Sequence, residues 1–217
     1  MSTKTTIIIS SILIVCATLV GLLFWNQLPD PVASHWGMND QANGTMPKFW
    51  GVFMMPLISI GMMLLFLAIP LIDPLKANVA KFRESFNTFI VLLMVFLTYI
   101  HGLTLAWNLG YTGIHMSTAI LPAIGLLFFF IGDMMSKAKR NYFIGIRTPW
   151  TLASDTVWDE THRVGGILFK ISGLLAMASI LLPPMYAFIL LLVPLLGSTF
   201  FTVVYSYVLF QREAKNV

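Results

Sequence analysis

Residues 51–72 read GVFMMPLISIGMMLLFLAIPLI and contain no charged side chain. A helix rises about 1.5 Å per residue, so about 20 such residues cross the hydrocarbon core of a bilayer, which is about 30 Å thick. Similar apolar runs precede and follow this one, and together they predict spanning helices at residues 6–25, 51–72, 86–107, 117–135, 164–182 and 187–210. We therefore expect an all-α integral membrane protein built as a six-transmembrane-helix bundle.

The composition excludes an ordinary soluble domain. Of the 217 residues, 58% are hydrophobic and 10% are charged, against about 45–50% and about 25% in soluble proteins. The single cysteine, Cys16, lies inside the first apolar run, which excludes a disulfide framework and a cysteine-based metal site. Membrane topology accounts for the formal net charge of +4, so no direct binding of nucleic acid is expected.

The basic residues predict the orientation of the bundle. With the N-terminus inside, Lys48 alone is outside and Lys170 lies within the fifth run. The other basic residues fall on the inner side: Lys4, Lys76, Lys81, Arg83, Lys137, Lys139, Arg140, Arg147, Arg163, Arg212 and Lys215. Because cytoplasmic loops carry an excess of Lys and Arg, both termini are expected to be cytoplasmic.

Two connections are long enough to carry a site, an outer loop at residues 26–50 and an inner loop at 136–163. Each falls within one half of the chain. We expect an N-terminal three-helix membrane region at residues 1–110 and a second three-helix region at 111–217.

The inner loop contains residues 141–152, NYFIGIRTPWTL, a segment too apolar and aromatic for a free cytoplasmic loop. Gly145 permits a sharp bend, and Pro149 requires an extended conformation at Thr148. Trp150 suits the level of the lipid headgroups. We expect an interfacial or re-entrant loop that folds back against the bundle, since such backbone is tolerated at membrane depth only where protein or a water-filled cavity surrounds it.

The fifth helix is predicted to begin before the membrane, with Ser154 or Thr156 as its cap. At a period of 3.6 residues, one narrow face carries Asp159, Arg163, Gly166, Lys170 and Gly173. We expect this polar stripe to face the bundle interior, because Lys170 facing lipid near mid-membrane would cost about 2.5–3.5 kcal/mol. The spacing of Asp159 and Arg163 also favours an ion pair.

Two interpretations of the inner loop remain open. In the first it is a structural plug in which Arg147, Asp159 and Arg163 pair with one another or with lipid phosphates. In the second, Arg147, His162, Arg163 and Lys170 line a cytoplasm-facing pocket for a ligand or partner.

Residues 141–152, Val157-Trp158, Thr161-His162-Arg163 and Gly165 resemble the signature of the SdpI family of bacterial and archaeal membrane proteins. In the outer loop, Leu28-Pro29, His35-Trp36, Gly44 and Lys48 resemble the small domain of unknown function that precedes this signature in longer members. Asp40 and Asn43 depart from that pattern, standing where a glycine and an aspartate are expected. The resemblance implies a multi-pass protein of the plasma membrane of a bacterium or archaeon.

The resemblance also implies a function of the immunity type. The bundle would bind a hydrophobic toxic peptide or a related ligand, and could relay its presence to a cytoplasmic transcriptional regulator; membrane lipid is a further partner. The alternative is a small transporter or permeation protein that uses the polar stripe of the fifth helix. No catalytic residue is implied, and the sequence carries no motif of a zinc protease, serine hydrolase or phosphate-binding loop. We expect no enzyme, no cofactor and no metal.

The candidate residues for ligand or partner binding lie in and after the inner loop: Asn141, Gly145, Arg147, Thr148, Pro149, Trp150, Thr151, Trp158, His162, Arg163 and Lys170. His35 and Lys48 are candidates in the outer loop. A metal site formed by His35, His101 and His115 with nearby Asp30 and Asp40 is conceivable, but its spacing matches no known ligand motif.

Two polar residues lie within predicted spans. For His101, a functional role competes with an interhelical hydrogen bond. Asp133 is followed by Lys137 and Arg140 at helical spacing, so pairing competes with a role in proton relay.

Overall fold

The computed structural model describes residues 1–37 and 40–215 of the chain. Six of the helices in this part are long and apolar enough to cross a membrane, which confirms the predicted all-α six-helix architecture. In chain order the helices are α1 (Thr3–Leu23), α2 (Lys48–Ile72), α3 (Lys76–Lys81), α4 (Arg83–Asn108), α5 (Met116–Met135), α6 (Pro149–Ala153), α7 (Asp155–Ala178) and α8 (Pro184–Lys215). The short helices are α3 and α6, and a 3-10 turn at Ser179–Leu181 follows α7.

The start of α7 is set by a side-chain cap. The Ser154 hydroxyl accepts a hydrogen bond from the backbone N–H of Val157 at 3.2 Å, so the predicted cap is Ser154 and not Thr156. The helix therefore begins well before the apolar run at residues 164–182, as the sequence predicts.

The outer loop contains a β-hairpin that the sequence analysis did not predict. Strand β1 (Val32–Trp36) pairs in antiparallel fashion with β2 (Ala42–Met46). The Asn108 side chain holds this hairpin on the end of α4, accepting from the backbone N–H of Ala33 at 2.7 Å and donating to its carbonyl at 3.0 Å. These side-chain bonds satisfy backbone groups of an edge strand.

Close contact between α5 and α7 depends on glycine. A Cβ added to Gly125 would lie 2.6 Å from the carbonyl oxygen of Gly173, and one added to Gly132 would lie 2.5 Å from that of Gly166. The absence of side chains lets the two backbones approach, which is how membrane helices gain packing where lipid is as apolar as the protein.

The two groups of helices, α1–α2–α4 and α5–α7–α8, share a core at the end of the bundle that carries residues 136–163; we call this the inner end. Its buried residues come from both groups: Ile69, Val79, Phe82, Phe86, Ile90, Met134, Ala138 and Ile144. Ile144 belongs to the inner loop, so this loop packs into the bundle. The side of the membrane on which it lies stays a prediction from the basic residues.

Candidate functional site

The turn at residues 141–144 is organised by one buried side chain. The Asn141 amide donates to the carbonyls of Lys139 and Ile144, both at 2.9 Å. Its oxygen accepts from the backbone N–H groups of Phe143 at 2.9 Å and Ile144 at 2.6 Å. The side chain thus replaces the backbone partners that a tight buried turn would otherwise lack.

His162 holds the next part of the loop. Its Nε2 accepts the backbone N–H of Ile146 at 2.9 Å, and its Nδ1 lies 2.8 Å from the carbonyl oxygen of Trp158. Since a backbone N–H can only donate and a carbonyl can only accept, the geometry requires a neutral imidazole with its proton on Nδ1.

Gly145 is needed where it passes His162. Its φ of +112° lies in the left-handed region, and a Cβ there would collide with Nε2 of His162. The imidazole stacks on the indole of Trp158 with ring centroids 3.9 Å apart. Trp158 is fully buried and donates from Nε1 to the carbonyl of Ala138 at 2.9 Å.

The following residues connect the loop to α8. Thr148 has the extended conformation that Pro149 requires, and it caps α6 in a reciprocal arrangement with Thr151. The hydroxyl groups of Thr148 and Ser206 are 3.0 Å apart. Trp150 packs on Tyr207 with ring centroids 5.0 Å apart.

The loop also docks on the first group of helices, through residues that the sequence analysis missed. A carboxylate oxygen of Asp73 accepts the backbone N–H of Tyr142 at 2.9 Å, and Asn78 donates to the carbonyl of Arg140 at 2.9 Å. Asp73 directly follows the apolar run at residues 51–72. An acidic residue at the end of a span is the sequence feature that could have marked it as a contact for the loop.

Residues 144–148 form one wall of a cavity of about 370 Å³ between α5, α7 and α8. The other walls are largely apolar: Ile131, Met134, Met135, Phe169, Thr199, Thr202 and Val203. Arg147 lies at this cavity with an exposed side chain and donates to the carbonyl of Tyr142 at 2.8 Å. In the part of the chain that the structure describes, it has no carboxylate partner.

The prediction of an ion pair between Asp159 and Arg163 is wrong. Arg163 forms a two-point contact with Glu160, at 2.6 and 2.9 Å, while Asp159 pairs with Lys139 at 2.9 Å. Arg163 is largely exposed, so it does not face the bundle interior. Pairs three and four residues apart both lie on one helix face, and here Lys139 occupies Asp159, whereas Glu160 accepts two N–H groups of the Arg163 guanidinium.

The remaining part of the predicted stripe packs against α5. Gly166 and Gly173 contact its backbone, and Lys170 pairs with Asp133 at 3.2 Å. Asp133 also pairs with Lys137 at 2.6 Å, as helical spacing predicts. Arg140, the other expected partner, pairs with Asp155 at 2.7 Å. The structure therefore does not bring Arg147, His162, Arg163 and Lys170 to a single pocket. Of these four residues only Arg147 lines the cavity, while His162 bonds to the backbone of the cavity wall at Ile146.

The other candidates lie apart from this cavity. His101 is buried in α4 and bonds through Nε2 to the carbonyl of Ala17 on α1 at 3.2 Å, which is the predicted interhelical hydrogen bond. On the outer hairpin, His35 bonds to Asn43 at 2.5 Å. Lys48 donates from Nζ to the carbonyl of Trp25 at 3.3 Å. Over residues 1–37 and 40–215, no group of three His, Cys, Asp or Glu side chains is placed to hold a metal ion.

Comparisons with known proteins match both parts of the chain. The SdpI/YfhL protein family matches residues 137–206, and a domain of unknown function, DUF1648, matches residues 12–60. The chain is 29% identical over 166 residues to the immunity protein SdpI of Bacillus subtilis (strain 168), which covers 76% of this chain and 77% of the relative. No solved structure matches. The loop at residues 141–148, its His162 anchor and the outer hairpin all lie in matched regions, so the chain is similar to the SdpI family over residues 137–206 and to DUF1648 ahead of it, over residues 12–60.

Proposed function

We propose that this multi-pass membrane protein confers immunity by binding a hydrophobic toxic peptide or a related ligand, in the plasma membrane of a bacterium or archaeon. The relative that covers most of the chain is an immunity protein, and the six apolar helices place the chain in a membrane. The proposal includes the predicted orientation, with both termini in the cytoplasm.

The cavity beside residues 144–148 is the proposed binding site, and it is the observation that carries the proposal. Its walls are mostly apolar and accept hydrophobic side chains. Arg147 uses one of its guanidinium N–H groups on Tyr142, which leaves donors for the backbone carbonyls or terminal carboxylate of a peptide.

Relay to a cytoplasmic regulator is the second element of the proposal. The loop that forms the cavity wall also exposes Tyr142 and Phe143, which do not line the cavity. A ligand that contacts Ile144 and Ile146 would therefore act on the same short segment that presents these aromatic rings to a partner.

The immunity proposal is tested by survival of a toxin-sensitive host that expresses the protein, across a panel of hydrophobic toxic peptides. Val203 lines the cavity, whereas its neighbour Val204 does not. Both side chains are partly exposed, at 39% and 44%. We expect Val203→Phe to fill the cavity and reduce protection at least about ten-fold, since one lost bulky contact costs about 1.5–3 kcal/mol.

Val204→Phe is the matched control and should protect like the unchanged protein. If the host that expresses the protein survives no better than the host without it, across the whole panel, the result argues against immunity. If the protein moves ions or peptides across liposomes, the transporter alternative is favoured instead. Equal loss of protection in both valine variants argues against the cavity as the site.

A further inference from the structure

Apart from Arg147, the basic residues that lie near the inner loop and near α3 fall into two groups that differ in whether a carboxylate pairs with them. In the second half of the chain, each of five side chains lies within 2.6–3.2 Å of a carboxylate: Lys137, Lys139, Arg140, Arg163 and Lys170. The described carboxylates form no ion pair with the group from the first half, Lys4, Lys76, Lys81 and Arg83.

The acidic residues near Lys76 and Arg83 do not neutralise these unpaired basic side chains. Asp73 is buried, and its oxygens accept the backbone N–H groups of Leu75 at 2.6 Å and Tyr142 at 2.9 Å. Glu84 lines a different cavity, together with Asp133 and Lys137. Positive charge is therefore in local excess beside α3.

A surface cavity of about 620 Å³ opens at this excess of charge. Lys76 and Arg83 supply two cations, and the rest of the lining is apolar: Pro70, Ala77 and Ala80. Directly beyond Pro70, the side chains of Leu71 and Ile72 at the end of α2 are exposed. Cations beside exposed apolar surface match a ligand that has an anionic head and an apolar chain.

Arg83 is held in place by groups that do not neutralise it. Its Nε donates to the Thr3 hydroxyl at 3.3 Å, and its guanidinium lies 5.6 Å from the ring centre of Phe86. Its Nη1 is buried and has no hydrogen-bond partner among the described residues. The guanidinium is thus ordered by the protein and still lacks an anion.

We propose that the cavity lined by Lys76 and Arg83 binds the phosphate of an anionic phospholipid, whose acyl chain lies along Pro70 and Leu71. A free phosphate ion would use the two cations only, whereas a phospholipid also covers the apolar surface. This site shares no lining residue with the cavity beside residues 144–148. The lipid proposal can therefore be tested independently of the immunity proposal.

The test measures lipid binding to the purified protein in detergent by native mass spectrometry. Phosphatidylglycerol is titrated against the unchanged protein and against Lys76→Gln and Arg83→Gln. Each substitution should weaken binding about five-fold, the effect of one basic residue near an anionic lipid. Lys139→Gln is the control, because it removes the same charge from a side chain that is paired with Asp159, and it should leave binding unchanged.

Phosphatidylcholine with the same acyl chains should bind weakly, and inorganic phosphate at the lipid's concentration should not displace phosphatidylglycerol. Equal binding of the two lipids overturns the proposal, as does equal loss in Lys139→Gln. Displacement by inorganic phosphate shows a simple anion site and also overturns it. Because Arg83 also bonds Thr3, the exposed Lys76 carries the test if the Arg83 variant does not fold.

Discussion

The hydrogen bond between His162 and the backbone of Ile146 holds the part of the loop that follows the turn organised by Asn141. It requires a neutral imidazole with its proton on Nδ1, and the flat face of Trp158 fixes the ring plane. Gly145 passes so close to the ring that only a residue without Cβ fits, and its φ is positive as well. The geometry of this part of the loop therefore rests on the combination of one histidine, one tryptophan and one glycine.

Gly145→Ala is expected to destabilise the protein by about 1–3 kcal/mol, because it adds backbone strain to a collision with His162. Thermal unfolding in detergent measures this change. Gly61→Ala on α2 is the control, since a Cβ there meets no atom within 4 Å, and it should be at least as stable as the unchanged protein because alanine favours the helix. Equal unfolding temperatures for both variants would contradict the role assigned to Gly145.

At the scale of elements, the contact between α5 and α7 is the closest pairing of the bundle and carries the loop between them. The glycine backbones touch at two levels about two helical turns apart, Gly125 with Gly173 and Gly132 with Gly166. Near the second level, Lys170 of α7 pairs with Asp133 of α5. The loop that joins them forms one wall of the cavity beside α8.

We expect Gly173→Ala to separate α5 from α7 and lower the free energy of unfolding by about 1–3 kcal/mol, the usual effect of overpacking. A Cβ at this position would lie 2.5 Å from the carbonyl oxygen of Gly125. Gly197→Ala on α8 makes the same chemical change in open space. Denaturation of both variants in detergent distinguishes a packing effect from a change in helix propensity, which alone would favour alanine. A Gly173 variant as stable as the Gly197 variant would refute the close contact.

At the scale of the whole molecule, the hairpin and the inner loop lie at opposite ends of the long helices. The hairpin packs on the start of α2 and the end of α4, while the loop packs on the end of α2 and the start of α4. The orientation predicted from the basic residues therefore assigns the hairpin to the outside and the loop to the cytoplasm.

Cysteine labelling of intact cells measures this orientation. In a Cys16→Ala background, a thiol-reactive and membrane-impermeant probe should label Thr45→Cys on the hairpin. The same probe should reach Tyr142→Cys, on the exposed side of the loop, only after the cells are opened. Labelling of Tyr142→Cys in intact cells would reverse the orientation and move the proposed peptide site to the outer face.

The sequence alone determined the features that depend on neighbouring residues. The length of each apolar run predicted the six spans, while Ser154 and Gly145 marked a helix cap and a bend. The pair of Asp133 with Lys137 followed from helical spacing. Hydropathy, capping and i,i+4 pairing act over a few residues, so the local sequence is sufficient for them.

Only the tertiary structure decided which distant groups meet. The bond of Asp73 to Tyr142, the Thr148–Ser206 contact and the Lys139–Asp159 pair each join segments that are far apart along the chain or lie on different elements. The outer hairpin and the cavity at residues 144–148 depend on the same packing. An exposed charge pairs with whichever opposite charge the helix packing brings nearest, and that distance is a property of the assembled bundle.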